Sequence, residues 1–476
     1  MPREESYDLH PYGWENDPEV ERFRLSTLDY LSLISYNHYA LFFRLEDAEK
    51  PRVVEILKAG VERTLAQVRH LNGRIEKDPR GGYSFTKKKD DTVRFIVQWL
   101  DDPEDAGRYP SFDDIERAHF TALSLGDPGL WAVEPMTFGY KLEADLDQSP
   151  ITSAFKANFI RGGLVLSTHS HHAAVDLMAW AGFIHQLAEN CYAFANGTPY
   201  PTWDPACLDL SRLLKPEPPE EEKVEGPPTP GKHPDHLGSC SYLFHLPKSK
   251  AARLKELAKP EDGTWVSTYD AFSAFIWRHL TRLRAPVFKP APDSKLSYGG
   301  AINMRTRMHN PKLPARIQQN VMFAFLSTTA PVVQPTVSEL ISEWPFWKVA
   351  RYMRQLTESI TQEYLDEVLT MAATIREKSS LCTRIDSRPP MSIGQSDHRC
   401  ANITTADFGF AKPATYRYLM SEVTSNGIVI YPSRDPSPES DEGPEVVIMY
   451  ETDLAQTLID DPIWNEFFEY RGIEAK

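Results

Sequence analysis

Two short segments, far apart in the chain, carry residue types that could perform acid–base chemistry. HHAAVD at residues 171–176 puts an imidazole, His172, four positions before a carboxylate, Asp176, where an apolar run becomes a helical pattern. A general base can be exposed and held in orientation at such a junction, because imidazole titrates near neutral pH. The second segment, DFGF at residues 407–410, places Asp407 beside Gly409, a residue that permits a tight turn. The first segment is therefore a candidate for a general base, although alone it is a weak signal.

The histidine cluster has three interpretations. His172 could be a general base, or His169, His171, His172 and Asp176 could bind a metal, or the histidines could be satisfied structurally at a strand end. Strand alternation sends His171 and His172 to opposite faces, and the HxHxDH order of binuclear hydrolases is absent from the sequence. The metal interpretation is therefore disfavoured, while the catalytic and structural ones both stay open from the local sequence.

Two other enzyme classes are excluded by their missing motifs. DFG occurs in protein kinases, but the chain has no GxGxxG loop, no VAIK segment and no HRD loop. GQS at residues 394–396 is followed by Asp397, which breaks the nucleophile-elbow pattern of serine hydrolases.

Composition sets the outer limits on function. The 476 residues, 41% of them hydrophobic and 25% charged, supply enough apolar material for two cores. The net charge of −15 argues against nucleic acid or an anionic membrane as a partner, because both require a positive field. An anionic coenzyme would need a local basic pocket.

The chain shows no secretion or membrane signal. Its first residues are acidic and polar, and no apolar run approaches the roughly 18 residues of a membrane span. The five cysteines are scattered, with no CxxC pair. We therefore expect a cytoplasmic protein with reduced thiols.

Helical and extended patterns alternate on both sides of a proline- and glutamate-rich segment. Helices are predicted over residues 53–69, 177–196, 267–284 and 347–378, and strands over 164–168, 427–431 and 446–450. This mixture predicts an α/β or α+β architecture. The segment at 213–238 offers nothing to bury and predicts an exposed crossover. The expected organisation is a first domain at 1–212, this linker, and a second domain at 239–476.

Six motif-like segments occur along the chain. In chain order they are STLD at 26–29, LNGR at 71–74, HHAAVD at 171–176, STYDAFSAFIW at 267–277, NMRTR at 303–307 with Pro311, Leu313, Pro314 and Asn320, and DFGFAKP at 407–413. This ordered series resembles the BAHD-type acyltransferases, which use acyl-coenzyme A to acylate alcohols or amines. Each piece is weak alone. The ordered series spans nearly the whole chain and is specific, with a pattern closer to fungal secondary-metabolite members than to plant ones.

The chain departs from the family pattern at four positions. Leu177 and Gln319 stand where the family usually has glycine, and Phe410-Ala411 replaces Trp-Gly. Leucine restricts the backbone just after Asp176, and loss of tryptophan removes an indole donor. None of these departures replaces His172. They do mean that the shape of the acceptor and acyl pockets cannot be inferred from relatives.

The resemblance implies two chloramphenicol-acetyltransferase-like α/β domains with a central solvent channel. His172 would lie at the channel centre as the base, and Arg305 or Arg307 would pair with a structural Asp176. Asp407 and Gly409 would organise a turn. The implied co-substrate is acyl-coenzyme A, most simply acetyl-coenzyme A, bound with help from Lys255, Ser267 and Thr268. The implied protein is a monomer without a metal, and its acceptor is a small molecule.

Three functions remain open from the sequence. The leading one is acyl transfer from acyl-coenzyme A, with acetyl as the expected group, to a hydroxyl or amine. The second is a condensation-domain-like catalyst with carrier-bound donors, since such domains also show HHxxxD. The third is a non-catalytic binding protein of the same fold.

Overall fold

The computed structural model describes residues 2–105, 107–209 and 211–476. The strands are β1 Arg3–Leu9, β2 Val20–Arg24, β3 Tyr36–Arg44, β4 Arg74–Lys77, β5 Tyr83–Lys88, β6 Val93–Trp99, β7 Ser153–Ile160, β8 Gly163–His171, β9 Ser239–His245, β10 Tyr298–Asn303, β11 Met322–Leu326, β12 Ile393–Asp397, β13 Thr415–Tyr418, β14 Gly427–Tyr431, β15 Glu445–Glu451 and β16 Glu469–Ala475. The helices are α1 Lys50–Gln67, α2 Phe112–Arg117, α3 Leu177–Asn196, α4 Lys248–Leu257, α5 Thr268–Phe288, α6 Phe346–Glu358, α7 Gln362–Ala373, α8 Ala455–Ile459 and α9 Pro462–Asn465.

The first large sheet carries the histidine segment. Its six strands run in the order β1-β6-β7-β8-β3-β13, and a small sheet of β2, β5 and β4 lies apart from it. Apolar residues of α1 and α3 share one hydrophobic core with β3 and β8. The structure confirms the strand predicted over 164–168, which is part of β8. It also confirms the helices predicted over 53–69 and 177–196, which are α1 and α3. Helix α3 also ends where predicted, because Gly197 adopts the left-handed conformation at its C-cap.

The second large sheet has seven strands in the order β11-β10-β12-β14-β15-β9-β16. Strands β14 and β15 confirm the strands predicted over 427–431 and 446–450, and the two pair antiparallel. The region predicted as helical over residues 347–378 contains two helices, α6 and α7. They are separate because Thr361 caps the start of α7 by accepting a hydrogen bond from the Tyr364 N–H.

The proline-rich segment at 213–238 is surface chain tied down at several points. Leu213 is buried, and its carbonyl accepts from the Thr27 N–H at 3.2 Å. Further along, Lys223 forms ion pairs with Glu217 and Glu220. One strand from beyond this segment, β13, joins the first sheet by pairing with β3. The division into residues 1–212, 213–238 and 239–476 stays a prediction. The position of β13 shows that the part of the chain after the linker contributes a strand to the first sheet.

Two features bear on the environment of the chain. In the described ranges, no helix is both long and apolar enough to cross a membrane. The five cysteines are free thiols.

Candidate active site

His172 follows the last residue of β8 and lies in the turn that leads into α3. Its main-chain N–H donates to the Ser35 carbonyl at 2.9 Å, which fixes the turn against the chain before β3. The imidazole is half-buried, and no other described residue bonds its Nδ1. Burial lowers the pKa of His172, although its own backbone and the Asp176 carboxylate favour the charged form. A neutral, partly accessible imidazole can accept a proton.

His171 has a different environment, as strand alternation predicts. Its ring is buried, Nδ1 accepts from the Ala173 N–H at 3.1 Å, and Nε2 lies 2.8 Å from the Ala144 carbonyl. Nε2 therefore carries the proton and donates to that carbonyl. Burial lowers the pKa of His171 to about 4. With both nitrogens engaged, His171 supports the turn and is not available as a base.

No metal-binding cluster is formed here. Within residues 2–105, 107–209 and 211–476, no three His, Cys, Asp or Glu side chains are grouped so that they could hold a metal ion.

Asp176 is buried at the start of α3, where its Oδ1 caps the helix by accepting from the Ala179 N–H at 2.8 Å. The Arg305 guanidinium bonds both carboxylate oxygens, at 2.9 and 3.0 Å. The N–H groups of Val321 and Met322 donate to Oδ2 at 2.6 and 2.9 Å. Burial alone would raise the pKa of Asp176, but Arg305 and these backbone donors hold it below its ordinary value. Asp176 is therefore an ionised anchor that ties the histidine turn to the second sheet.

The Asn320 amide makes a second tie to the same turn. Its nitrogen lies 3.3 Å from the His172 carbonyl, 2.7 Å from the Ala173 carbonyl and 3.0 Å from Oδ1 of Asp29. Burial raises the pKa of Asp29 to about 7. The sequence places Asp29 and Asn320 in family-like segments, but it does not predict their contact, because the two residues are 291 positions apart.

Arg305, and not Arg307, is the partner of Asp176. The Arg307 guanidinium donates to the carbonyls of Thr357 and Ile360, each at 2.6 Å, at the end of α6. Carbonyls at a helix end lack partners within the helix, so a cation there is stabilising. Arg307 thus helps to end α6 before α7 begins.

Asp407 and Gly409 form a turn remote from the imidazole. The Gly409 N–H donates to Oδ1 of the exposed Asp407 at 2.9 Å, and Gly409 has φ +80°. A Cβ on Gly409 would come within 2.9 Å of Tyr192 and Ala195, near the end of α3. Since Asp176 caps the start of α3, the rise of 1.5 Å per residue separates the two motifs by about 24 to 28 Å. The DFGF segment is architectural.

Lys255 lies near the end of α4, and Ser267 and Thr268 lie at the start of α5, on the two sides of the loop that joins these helices. The Lys255 ammonium is 5.5 Å from the centre of the Trp265 ring, a cation–π contact. Ser267 caps α5: its hydroxyl accepts from the Asp270 N–H at 3.1 Å and donates to the Asp270 carboxylate at 2.7 Å. Thr268 is half-buried at the first position of α5. Binding of phosphate by these residues stays a prediction.

Lys255→Glu is expected to raise the KM for acyl-coenzyme A, because the variant replaces a cation with an anion where the phosphates of the coenzyme are predicted to bind. The effect should grow at low ionic strength, while the KM for the acceptor changes little. Steady-state kinetics at two salt concentrations measure this. Lys250→Glu on the same helix, whose ammonium already pairs with Glu469, is the matched control. An unchanged donor KM at low salt would remove Lys255 from the site.

Comparison with known proteins identifies the family. The model of the Transferase family matches residues 133–455, more than half of the chain. The chain belongs to this family. A model described as the trichothecene 3-O-acetyltransferase-like N-terminal domain matches residues 35–191, which include the histidine segment. The BAHD-type resemblance is thereby confirmed, and the chain is an acyltransferase.

Relatives agree with the assignment. The acetyltransferase FGR3 of Gibberella zeae is 64% identical over 474 residues, covering 100% of this chain and 95% of that protein. The trichothecene 3-O-acetyltransferase TRI101 of Fusarium sporotrichioides is 24% identical, covering 80% of this chain and 83% of that protein.

Solved structures share the fold. The F. graminearum TRI101 complex with coenzyme A and T-2 mycotoxin has a TM-score of 0.77 at 19% identity, covering 95% of this chain and 100% of that one. Vinorine synthase has a TM-score of 0.67 at 18% identity, covering 96% of each chain. The predicted two-domain α/β acyltransferase fold is confirmed.

Proposed function

We propose that this protein transfers an acetyl group from acetyl-coenzyme A to a hydroxyl group of a small secondary metabolite, with His172 as the general base. The observation that carries the proposal is the partly accessible His172 ring, held in a turn that Asp176, Arg305 and Asn320 fix from the second sheet. The acetyltransferase activity of the relatives supports acetyl transfer, and the coenzyme A and T-2 mycotoxin bound to the TRI101 structure support the donor and the acceptor class.

In this mechanism the neutral His172 ring takes the proton of the acceptor hydroxyl. The oxygen attacks the thioester carbonyl, and a tetrahedral intermediate forms. When the carbon–sulfur bond breaks, the protonated ring returns its proton to the departing thiolate. Free coenzyme A and the acetyl ester leave the protein, and His172 is neutral again. Asp176 does not exchange protons in this cycle, because its carboxylate is fully engaged with Arg305 and backbone donors.

The alternative of a condensation-domain-like catalyst shares the fold, since the first condensation domain of the CDA synthetase has a TM-score of 0.51 at 13% identity. Likeness at that level concerns the fold alone. A donor comparison separates the two functions. The proposal requires transfer from free acetyl-coenzyme A, whereas transfer only from a carrier-loaded thioester would favour condensation chemistry. A non-catalytic protein would bind coenzyme A and release no thiol.

The pH dependence follows from the direction of the His172 pKa. Only the neutral ring accepts a proton, and burial lowers its pKa from the ordinary 6.5. We expect kcat/KM to be constant through neutral pH and to fall only as pH drops below the usual histidine range. A pH–rate profile measures this, with buffers at constant ionic strength. An acid limb centred above 6.5 would contradict a buried His172 base.

We further propose that the protein acts as a monomer in the cytoplasm. The five free thiols are compatible with a reducing compartment. Analytical ultracentrifugation of the purified protein tests the oligomeric state.

A further inference from the structure

One face of the second sheet is open to solvent beside the candidate site. Along β10 and β11 the side chains alternate between buried positions that pack into the second core and positions that keep solvent access. Buried positions include Ile302 and Phe323, and accessible ones include Ala301, Asn303 and Ala324. Met322 and Leu326 are also partly accessible at the two ends of β11, but Ala301 and Ala324 pair across the strands between them. The middle of the face therefore carries only small side chains and leaves room for a ligand.

This open face begins at the Asp176 anchor. Asn303 at the end of β10 bonds the Arg305 side chain at 3.3 Å, and the Met322 N–H at the start of β11 donates to Asp176. A molecule lying along the face therefore has one end near the histidine turn.

Arg388 lies at the other end of the same face. Its guanidinium sits over Gly299 and Gly394, which pair across β10 and β12. A Cβ on these glycines would come within 2.8 and 3.3 Å of Nη1 of Arg388. Gly299 and Asn303 are four positions apart, which is about 13 Å along the strand. The missing side chains of both glycines make the space in which the guanidinium lies.

Arg388 has no counter-charge in the described ranges. Its half-buried guanidinium makes neither a hydrogen bond nor an ion pair there, and burial lowers its pKa without an opposing carboxylate. The neighbouring arginines differ, since Arg384 pairs with Asp386 and Arg399 with Asp397. A half-buried cation has lost part of its hydration and gained no protein partner, and an anionic ligand would offset that cost.

We propose that Arg388 binds a carboxylate or phosphate group of a substrate that lies along this face. A guanidinium suits either group, because its planar fork donates two parallel hydrogen bonds. The inference rests on the proposed function for the identity of the substrates. The anion belongs either to an acidic acceptor or to the coenzyme, and the two sources give different kinetics.

The test compares Arg388→Gln and Arg388→Lys with the wild-type protein. Donors are acetyl-coenzyme A and acetylpantetheine, which lacks the nucleotide phosphates, and acceptors are hydroxy acids paired with their methyl esters. We expect Arg388→Gln to lower kcat/KM about 10- to 100-fold for the substrate that carries the anion, with partial recovery in Arg388→Lys. A loss confined to free acids places the anion on the acceptor. A loss confined to acetyl-coenzyme A places it on the coenzyme.

Calorimetric titration with coenzyme A and with the same hydroxy acids keeps the test independent of turnover. If wild-type protein transfers to no acceptor, the proposed function fails, while weaker anion binding by Arg388→Gln still supports the site. Arg388→Gln should not lower the melting temperature, because the guanidinium bonds no protein group in the described ranges. The matched control is Arg384→Gln, which removes an arginine that pairs with Asp386. Equal kinetics and equal anion binding in Arg388→Gln and wild type would overturn the inference.

Discussion

His172→Ala is expected to lower kcat by about two to four orders of magnitude, the usual contribution of a general base. The folded structure should persist, because the ring is half-buried and no other described residue bonds its Nδ1. The hydrogen bonds of the turn use the main chain of His172, which alanine retains. Steady-state kinetics with acetyl-coenzyme A, together with a thermal melt, measure both effects.

His171→Ala is the matched control and should affect stability more than catalysis. Its buried ring bonds Ala144 and Ala173, so its loss should lower the melting temperature more and turnover less than His172→Ala does. The assignment of the base is wrong if His171→Ala abolishes transfer while folded His172→Ala keeps near-normal turnover.

Asp176→Asn should reduce both stability and activity. The substitution leaves Arg305 with only 8% of its side chain exposed and no charged partner, a loss worth roughly 3–5 kcal/mol in the free energy of unfolding. Activity falls because the turn that carries His172 loses its tie to the second sheet. Urea denaturation gives the stability change, and kcat gives the activity change.

Asp407→Asn is the matched control, since that carboxylate is exposed and remote from the site. A double-mutant cycle with Arg305→Met should show strong coupling, because the two side chains bond directly. If Asp176→Asn loses rate with an unchanged melting temperature, Asp176 takes part in the chemistry and is not an anchor.

Local patterns predicted the elements that depend on local order. The apolar run before the histidines gave β8, and helical spacing followed by Asn196-Gly197 gave α3 and its end. The break between α6 and α7 was missed, because it depends on a single capping residue, Thr361, within a continuous helical pattern. The entry of β13 into the first sheet is a long-range pairing with β3, which no periodicity reports.

In the candidate site, too, local sequence predicts some features, whereas others depend on long-range contacts. Residue type and spacing, with the family resemblance, pointed to His172, Asp176 and a choice between two arginines. Only the structure identifies Arg305 as the partner of Asp176, because it shows that the Arg307 guanidinium instead donates to a carbonyl near the end of α6. The Asn320 contacts and the Val321 and Met322 donors link the two sheets and have no local signal. Arg388 has none either, since its distinguishing feature is a missing partner.

The most direct test of the central claim is mass spectrometry of an acceptor panel incubated with carbon-13-labelled acetyl-coenzyme A and purified protein. We predict that the wild-type protein moves the labelled acetyl group onto a hydroxyl of at least one acceptor and releases one coenzyme A thiol for each ester formed. His172→Ala should form the same product at a rate lower by about two to four orders of magnitude. Label transfer by His172→Ala at the wild-type rate, or coenzyme A binding without any label transfer by the wild-type protein, would contradict the account.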